Sequence, residues 1–240
     1  VFLNDFFYSI SDDVFALFPE YVRGVVIVNE VKNTESPSGL IAVLRSAEAS
    51  VRERLNLEEL TAHPQIASWR EAFRKVGIKP SDFRPSIEAM ARRVLRHQEL
   101  PSINALVDIG NILSLRHILP IGAHATDHLS HDIALRMASG KEEFVPFGSE
   151  TAEHPDPGEI VFVEGSAVLT RRWSWRQSRH TMTLLTTTAL EFNVDGLPPV
   201  GKSDVEKVCL EVMDLVRQFC GGRSRYETLT RQNPRIALKP

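Results

Sequence analysis

Cysteine is nearly absent from this chain, with two residues, Cys209 and Cys220, among 240. The apolar periodicity described below puts both on one helix, with roughly 16 Å of axial rise between them, which excludes a disulfide bond within the chain. Positive charge is not in excess: the formal net charge is -3. That excludes the broad positive coat of a nonspecific nucleic-acid binder and confines any RNA contact to a local basic patch. Long apolar runs are missing too, since no stretch approaches the about 20 residues of a membrane-spanning helix. The opening segment from Val1 to Phe7 is apolar but carries Asn4 and Asp5 and has no basic start, so it reads as a first strand rather than a signal peptide. The expectation is a soluble cytoplasmic protein. There is no Gly-x-x-x-x-Gly-Lys-(Ser/Thr) phosphate loop, no Gly-x-Ser-x-Gly elbow and no cysteine near a candidate histidine. ATP use and covalent catalysis through a nucleophile are therefore not expected, and nothing calls for a cofactor.

What is present is ordinary for a globular chain: 42% hydrophobic and 25% charged residues, enough for one sizeable core. The default is a single domain over 1–240. Val22 to Val28 is an apolar, β-branched run broken only by Arg23 and Gly24, which reads as a buried strand. Ser36-Pro37 then opens an amphipathic helix through Leu40, Leu44, Ala47, Val51 and Leu55. Further helices are predicted from Ile66 to Val76 with Gly77 as a stop, from Ile87 to Leu95 after Pro85, and from Ser102 to Leu115. After Pro120 the period switches to two: Ile133, Leu135 and Met137 alternate with polar neighbours. Ile160 to Val163 and Ala167 to Leu169 flank a Glu164-Gly165-Ser166 hairpin turn, and Thr181 to Val194 reads as one long strand. A last helix opens at Ser203 with Glu206 as a capping box and runs to Phe219, and the tail from Arg223 wraps or frays. The fold class is therefore α+β, with helices clustered in the N-terminal half against a mostly antiparallel, sandwich-like sheet core and a C-terminal helix added.

The most informative segment is Ser102-Ile-Asn-Ala-Leu-Val-Asp-Ile-Gly-Asn111, followed by His124-Ala-Thr-Asp127. It resembles the B3/B4 editing domain of the phenylalanyl-tRNA synthetase beta subunit. The likeness continues through Asp132 to Ala138, Gly140-Lys141-Glu142 and Gly158 to Val161, covering about Ala67 to Val194. Residues 1–60 and 200–240 then stand as an N-terminal strand-helix extension and a C-terminal helix with its tail. Arg171 to Ser178 is similar to a segment of freestanding relatives. The resemblance implies a trans-editing protein that binds the aminoacyl end of tRNA and hydrolyses mischarged aminoacyl-tRNA. Its partners would be that tRNA end, the amino-acid moiety and a synthetase, not DNA or a membrane. No adenylation motif is present, so the chain is not an ATP-dependent ligase. The alternative is a noncatalytic module for an amino acid or RNA.

Asn111 and His124 fall on positions that line the related editing pocket, where they would hold substrate and water. Asp108 would brace the helix or the turn and, with Asp127, border the substrate. The cluster His124, Asp127, His128, His131 and Asp132 has a partial metal-ligand spacing, but Pro120, Gly122 and the following strand break the helix that a shared face needs, and no zinc is expected. If residues 171–180 are extended, Trp173 and Trp175 face one side as pocket wall while Arg172 and Arg176 face the other. Arg171, Arg172 and Arg176 would then meet RNA, and Arg92, Arg93 and Arg96 form a second basic patch. Two departures bear on specificity. The related strand carries a glutamate that recognises a tyrosine hydroxyl, and alignment on Leu184-Leu185 puts Thr186 there. The related glycine-rich loop is replaced by Trp173-Ser174-Trp175-Arg176.

Overall fold

A computed structural model describes residues 6–238. The start of the expected first strand lies outside the described residues, and its end forms β1 (Phe7–Ile10). The order continues α1 (Asp12–Leu17), β2 (Val22–Asn29), α2 (Ser38–Arg54), a 3-10 turn (Leu60–Ala62), α3 (Pro64–Lys75), α4 (Ser86–Leu95) and α5 (Ala105–His117). Then come β3 (Ile121–Ala125), β4 (Ile133–Met137), β5 (Ile160–Glu164), β6 (Ala167–Arg171), β7 (Arg176–Gln177), β8 (Leu190–Gly196), α6 (Lys202–Phe219), β9 (Arg223–Leu229) and β10 (Arg235–Ala237). The class is α+β.

The strands form a six-stranded sheet in the order β10-β1-β4-β5-β6-β7 and a four-stranded sheet in the order β3-β8-β2-β9. Of the named pairings only β1 with β4 is parallel. Because side chains alternate across a strand, the four-stranded sheet has two distinct faces. Val22, Val26, Val28, Leu190, Phe192 and Val194 join a core with α2, α4, α5 and α6. Val25 and Ile27 face the other way and meet Tyr8, Leu135, Phe162 and Trp173 of the larger sheet, with Trp69 and Phe73 of α3 closing that space.

Gly24 in β2 sets the approach of α6: a Cβ there would lie 2.3 Å from Cys209 Sγ and 2.7 Å from Val205 Cγ1. The Gly24→Ala variant should lose about 1–3 kcal/mol by overpacking, read as a lower urea midpoint. An unchanged midpoint would show that the helix can slide away freely. Both cysteines are buried and free, as their helical spacing requires.

Three expectations differ from the structure. Residues 181–189 are turns, not strand, because their backbone is held by side chains and by itself. Asn33 Nδ2 donates to Leu184 O at 2.8 Å, Asn104 Nδ2 donates to Thr183 O at 2.9 Å, and Leu184 N donates to Thr187 Oγ1 at 2.9 Å. These local acceptors and donors outcompete the β preference of the threonines. The tail from Arg223 is ordered: β9 runs antiparallel beside β2 and β10 beside β1. The last helix also begins earlier than Ser203, with Gly201 N donating to Asp204 Oδ2 at 3.1 Å in place of the expected Ser203–Glu206 box.

Candidate functional site

β2, β3 and β8 place a polar group of side chains between the two sheets. Glu191, Asn193 and Asp195 occupy alternate positions of β8, and the intervening Leu190, Phe192 and Val194 go to the helical core. Gly122 and His124 of β3 pair with Asn193 and Glu191, and Arg23 of β2 pairs with Asp195.

His124 is buried and held from both ring nitrogens. Its Nδ1 lies 2.7 Å from Thr181 Oγ1 and 3.2 Å from Gln177 Nε2, and its Nε2 lies 3.2 Å from Thr170 Oγ1. Gln177 Nε2 also donates to the carbonyls of Ala123 at 2.9 Å and Thr181 at 3.2 Å, which assigns the orientation of that amide. Either ring nitrogen can carry the imidazole proton, Nδ1 toward Thr181 or Nε2 toward Thr170. Burial, reinforced by the Arg23 guanidinium, lowers the His124 pKa to about 3. The ring is therefore a neutral hydrogen-bond donor at physiological pH.

Arg23 and Asp195 form a bidentate buried pair, Nε to Oδ1 at 2.6 Å and Nη2 to Oδ2 at 2.9 Å. Tyr21 donates its hydroxyl to Asp195, and Arg23 Nη1 reaches Tyr8 OH at 2.6 Å. Glu191, opposite His124, is wholly buried. Burial pushes its carboxyl up to about 8, with Asp195 adding to the rise and Arg23 and Asn193 opposing it. Asn193 Nδ2 donates to Glu191 Oε1 at 3.1 Å, while Oε2 has no protein partner. Below pH 8 this residue is a neutral acid.

A cavity of about 110 Å3 opens beside His124, with Arg23, Thr170, Gln177 and Asn193 in its wall and Trp175 and Arg176 at its lining. At about 30 Å3 per water in the liquid, it suits a few waters or a small, polar group. Ser174 Oγ is buried in the same lining without a partner. A second hollow of about 300 Å3 wraps the free edge of β3 and is lined by Ile103, Val107, Asn111, Phe147, Met182 and Thr183. The two share Ile121, Gly122 and Gln177. Asn111 and His124 thus stand on either side of one strand edge and line different hollows.

The B3/4 domain family matches residues 68–221, well over half the sequence. The chain belongs to the B3/4 domain family. The match extends past Val194 to take in α6. No curated protein sequence matches the chain. Among solved structures, an N-terminal fragment of the phenylalanyl-tRNA synthetase beta subunit from Pyrococcus horikoshii superposes with a TM-score of 0.47 at 11% identity. The overlap covers 91% of this chain and 50% of that one, so this B3/4 protein spans half the length of the fragment.

Asp108 and Asp127 both hold backbone of the B3/4 scaffold, which for Asp108 is the bracing role expected of it. Asp108 is buried and accepts from Ser36 Oγ at 2.6 Å, Ser102 Oγ at 2.5 Å and Ile103 N at 3.1 Å, bracing the entry to α5. Asp127 accepts from Thr188 N and Ala189 N, each at 3.0 Å, and clamps the approach to β8. Thr186 is exposed in a turn, in a separate hollow with His128, Glu164 and Arg179. The buried carboxyl near His124 belongs to Glu191, five positions later, where the strand begins.

The Arg-Trp segment is not extended. Arg172 and Trp173 have φ of 47° and 61°, so residues 172–175 form a tight turn that sends Trp173 inward and leaves Trp175 half-buried. Trp173 packs against Phe18, Tyr21 and Trp69 and donates Nε1–H to Tyr21 OH at 3.2 Å. Arg171 is buried on Glu159, with contacts of 3.0 and 2.8 Å, and Arg172 is buried beside Asp156 and Glu159. Of the three arginines assigned to RNA, Arg176 alone is exposed. Arg92 of the second basic patch is drawn onto Glu88 at 2.8 Å, and Arg93 onto Glu99 O at 2.9 Å.

Among the described residues, no three His, Cys, Asp or Glu side chains are grouped to hold a metal ion. No described helix is long and apolar enough to cross a membrane. Sequence reasoning missed Thr170, Gln177, Thr181, Asn193 and Glu191. The alternation Glu191, Asn193, Asp195 within an otherwise apolar strand was the readable signal for the last two.

Proposed function

We propose that this protein binds the aminoacyl end of tRNA and hydrolyses mischarged aminoacyl-tRNA. Membership of the B3/4 family supports the reading, together with the resemblance to the synthetase editing domain at Asn111 and His124. The single observation that carries it is the neutral His124 in the wall of a small cavity, held there by Thr170, Gln177 and Thr181.

An aminoacyl ester is already activated, so orientation and a placed donor supply the acceleration without a nucleophilic side chain. The amino-acid moiety enters the cavity of about 110 Å3 and the ribose lies at its mouth. Among the described residues His124 Nε2 meets Thr170 Oγ1 alone, and in the Nε2–H tautomer this donor serves the ester oxygen or the attacking water as charge develops. Water oxygen bonds to the carbonyl carbon, the carbon–oxygen bond to ribose breaks, and the proton from water passes to the departing ribose oxygen. Free amino acid and tRNA leave. The volume favours a small side chain over tyrosine. Asn111 lines the second hollow, which shares Ile121, Gly122 and Gln177 with the first, so Asn111→Ala has the smaller effect of the two.

The test is a panel of correctly and incorrectly charged tRNAs incubated with the protein and with its His124→Ala and Asn111→Ala variants. Loss of a species bearing a small, wrong amino acid, abolished by His124→Ala, supports the reading. The second reading, a binding module without hydrolysis, is favoured by one observation: no carboxylate lining the cavity is free to act as a base, since Asp195 is committed to Arg23. Retention of a free amino acid with no deacylation across the panel would select it.

A further inference from the structure

The turn between β6 and β7 builds a surface at the cavity mouth that the pocket chemistry above does not use. Arg172 packs against an edge-to-face aromatic pair: its guanidinium carbon lies 3.7 Å from the Phe83 ring centroid and 4.7 Å from that of Trp175. Phe83 and Trp175 also meet edge to face at 5.0 Å. On the same indole, the guanidinium carbon of the exposed Arg176 lies 5.9 Å from the ring centroid. Three bonds from backbone N–H groups pin the turn: Ser86 N to Ser174 O at 2.8 Å, Trp173 N to Ile160 O at 2.7 Å and Arg172 N to the Glu159 side-chain Oε1 at 3.0 Å. The cluster is therefore held against the start of α4 and the entry to β5. Independently, Ser174 Oγ lies buried in the cavity lining beside Trp175 and Arg176 with no hydrogen-bond partner, although a buried hydroxyl ordinarily has one.

We infer that Trp175 and Arg176 form a stacking platform for one unpaired nucleobase of a single-stranded RNA end, with Ser174 Oγ bonding the attached ribose or base edge. This rests on the proposed binding of an aminoacyl-tRNA end. A π face next to guanidinium groups takes any base by stacking, and an exposed arginine beside it takes the neighbouring phosphate. The platform is sequence-tolerant by construction, because every base has a face and only the hydroxyl reads an edge. A half-buried indole and an exposed guanidinium beside an unpaired buried hydroxyl suit a nucleoside. They do not suit a protein partner, which would call for a broader apolar patch.

The experiment measures binding of the whole protein to two short single-stranded RNAs, one ending in an intact adenosine and one with an abasic terminal nucleotide. Trp175→Phe keeps a π face, whereas Trp175→Leu keeps bulk against Phe83 without one, so both variants fill the same space. Thermal melts establish that each is folded. The expected result is a native preference for the intact end of roughly tenfold or more, largely kept in Trp175→Phe and lost in Trp175→Leu. Arg176→Ala should weaken both RNAs alike. Equal binding of the two RNAs by the native protein, a preference that survives Trp175→Leu, or no binding to either RNA would overturn the inference. Base-selective binding without deacylation would refute the hydrolysis reading alone. His124-dependent deacylation without base preference would refute the platform alone.

Discussion

Asp195→Ala should destabilise the protein by about 3–5 kcal/mol, the usual consequence of removing one partner from a buried ion pair. Arg23 and Asp195 have side chains only 1% and 2% exposed, so the orphaned guanidinium is cut off from bulk solvent. Tyr8 stays within reach of Arg23, but a phenol does not neutralise it. Tyr21 loses its acceptor at the same time, and with it the hydroxyl that receives Trp173 Nε1–H is set adrift. The damage should therefore spread to the wall of the His124 cavity. Urea unfolding of the variant checks the magnitude. A loss below 1 kcal/mol would mean that water or a neighbouring group replaces the carboxylate, and that the pair does not organise the space between the sheets.

The second large effect concerns pH. The Glu191 carboxyl is raised by burial from 4.5 to about 8, so between these values the folded chain holds a proton that the unfolded chain releases. Its contribution to stability is complete below pH 4.5, declines as pH rises, and is gone above about 8. His124 has the opposite sense. Its pKa falls from 6.5 to about 3, so its contribution is complete above pH 6.5 and is lost as pH falls toward 3. The two slopes oppose each other between pH 4.5 and 6.5, and the Glu191 effect is read cleanly above that window. Glu191→Gln has no proton to lose. Between pH 6.5 and 8.5 the native protein should lose about 2 kcal/mol relative to this variant, from about 1.4 kcal/mol per pKa unit. Parallel stability profiles would show that Glu191 is already ionised at neutral pH, and the picture of a neutral acid behind His124 would fall.

The helices were legible because each needs only its own 3.6-residue apolar stripe. Leu40, Leu44, Ala47 and Val51 are all buried on one face of α2, as their spacing required. His124 was legible through the resemblance. What surrounds it was not, because Thr170, Gln177, Thr181 and Glu191 reach it from separate strands and turns that meet only when the two sheets pack. Arg23 looked like an interruption in an apolar run, whereas it is the cation around which Tyr8, Tyr21 and Asp195 assemble. The Arg-Trp segment misled for a related reason. Period-two reasoning presumes an extended backbone, but the positive φ at Arg172 and Trp173 reverses which side chains face inward. Thr186 was set against the missing glutamate by counting from Leu184-Leu185. The threonine-rich stretch folds into turns held by Asn33 and Asn104, so the strand begins at Leu190 and its first inward residue is Glu191.

The most direct test of the account is single-turnover deacylation of the mischarged tRNA selected by the panel, comparing the native protein with His124→Ala under identical conditions. The account predicts a fall of about a hundredfold or more in the variant, as for loss of one donor to a developing oxyanion, with thermal unfolding showing that the variant remains folded. Equal rates in the two folded proteins would contradict it and remove His124 from the chemistry.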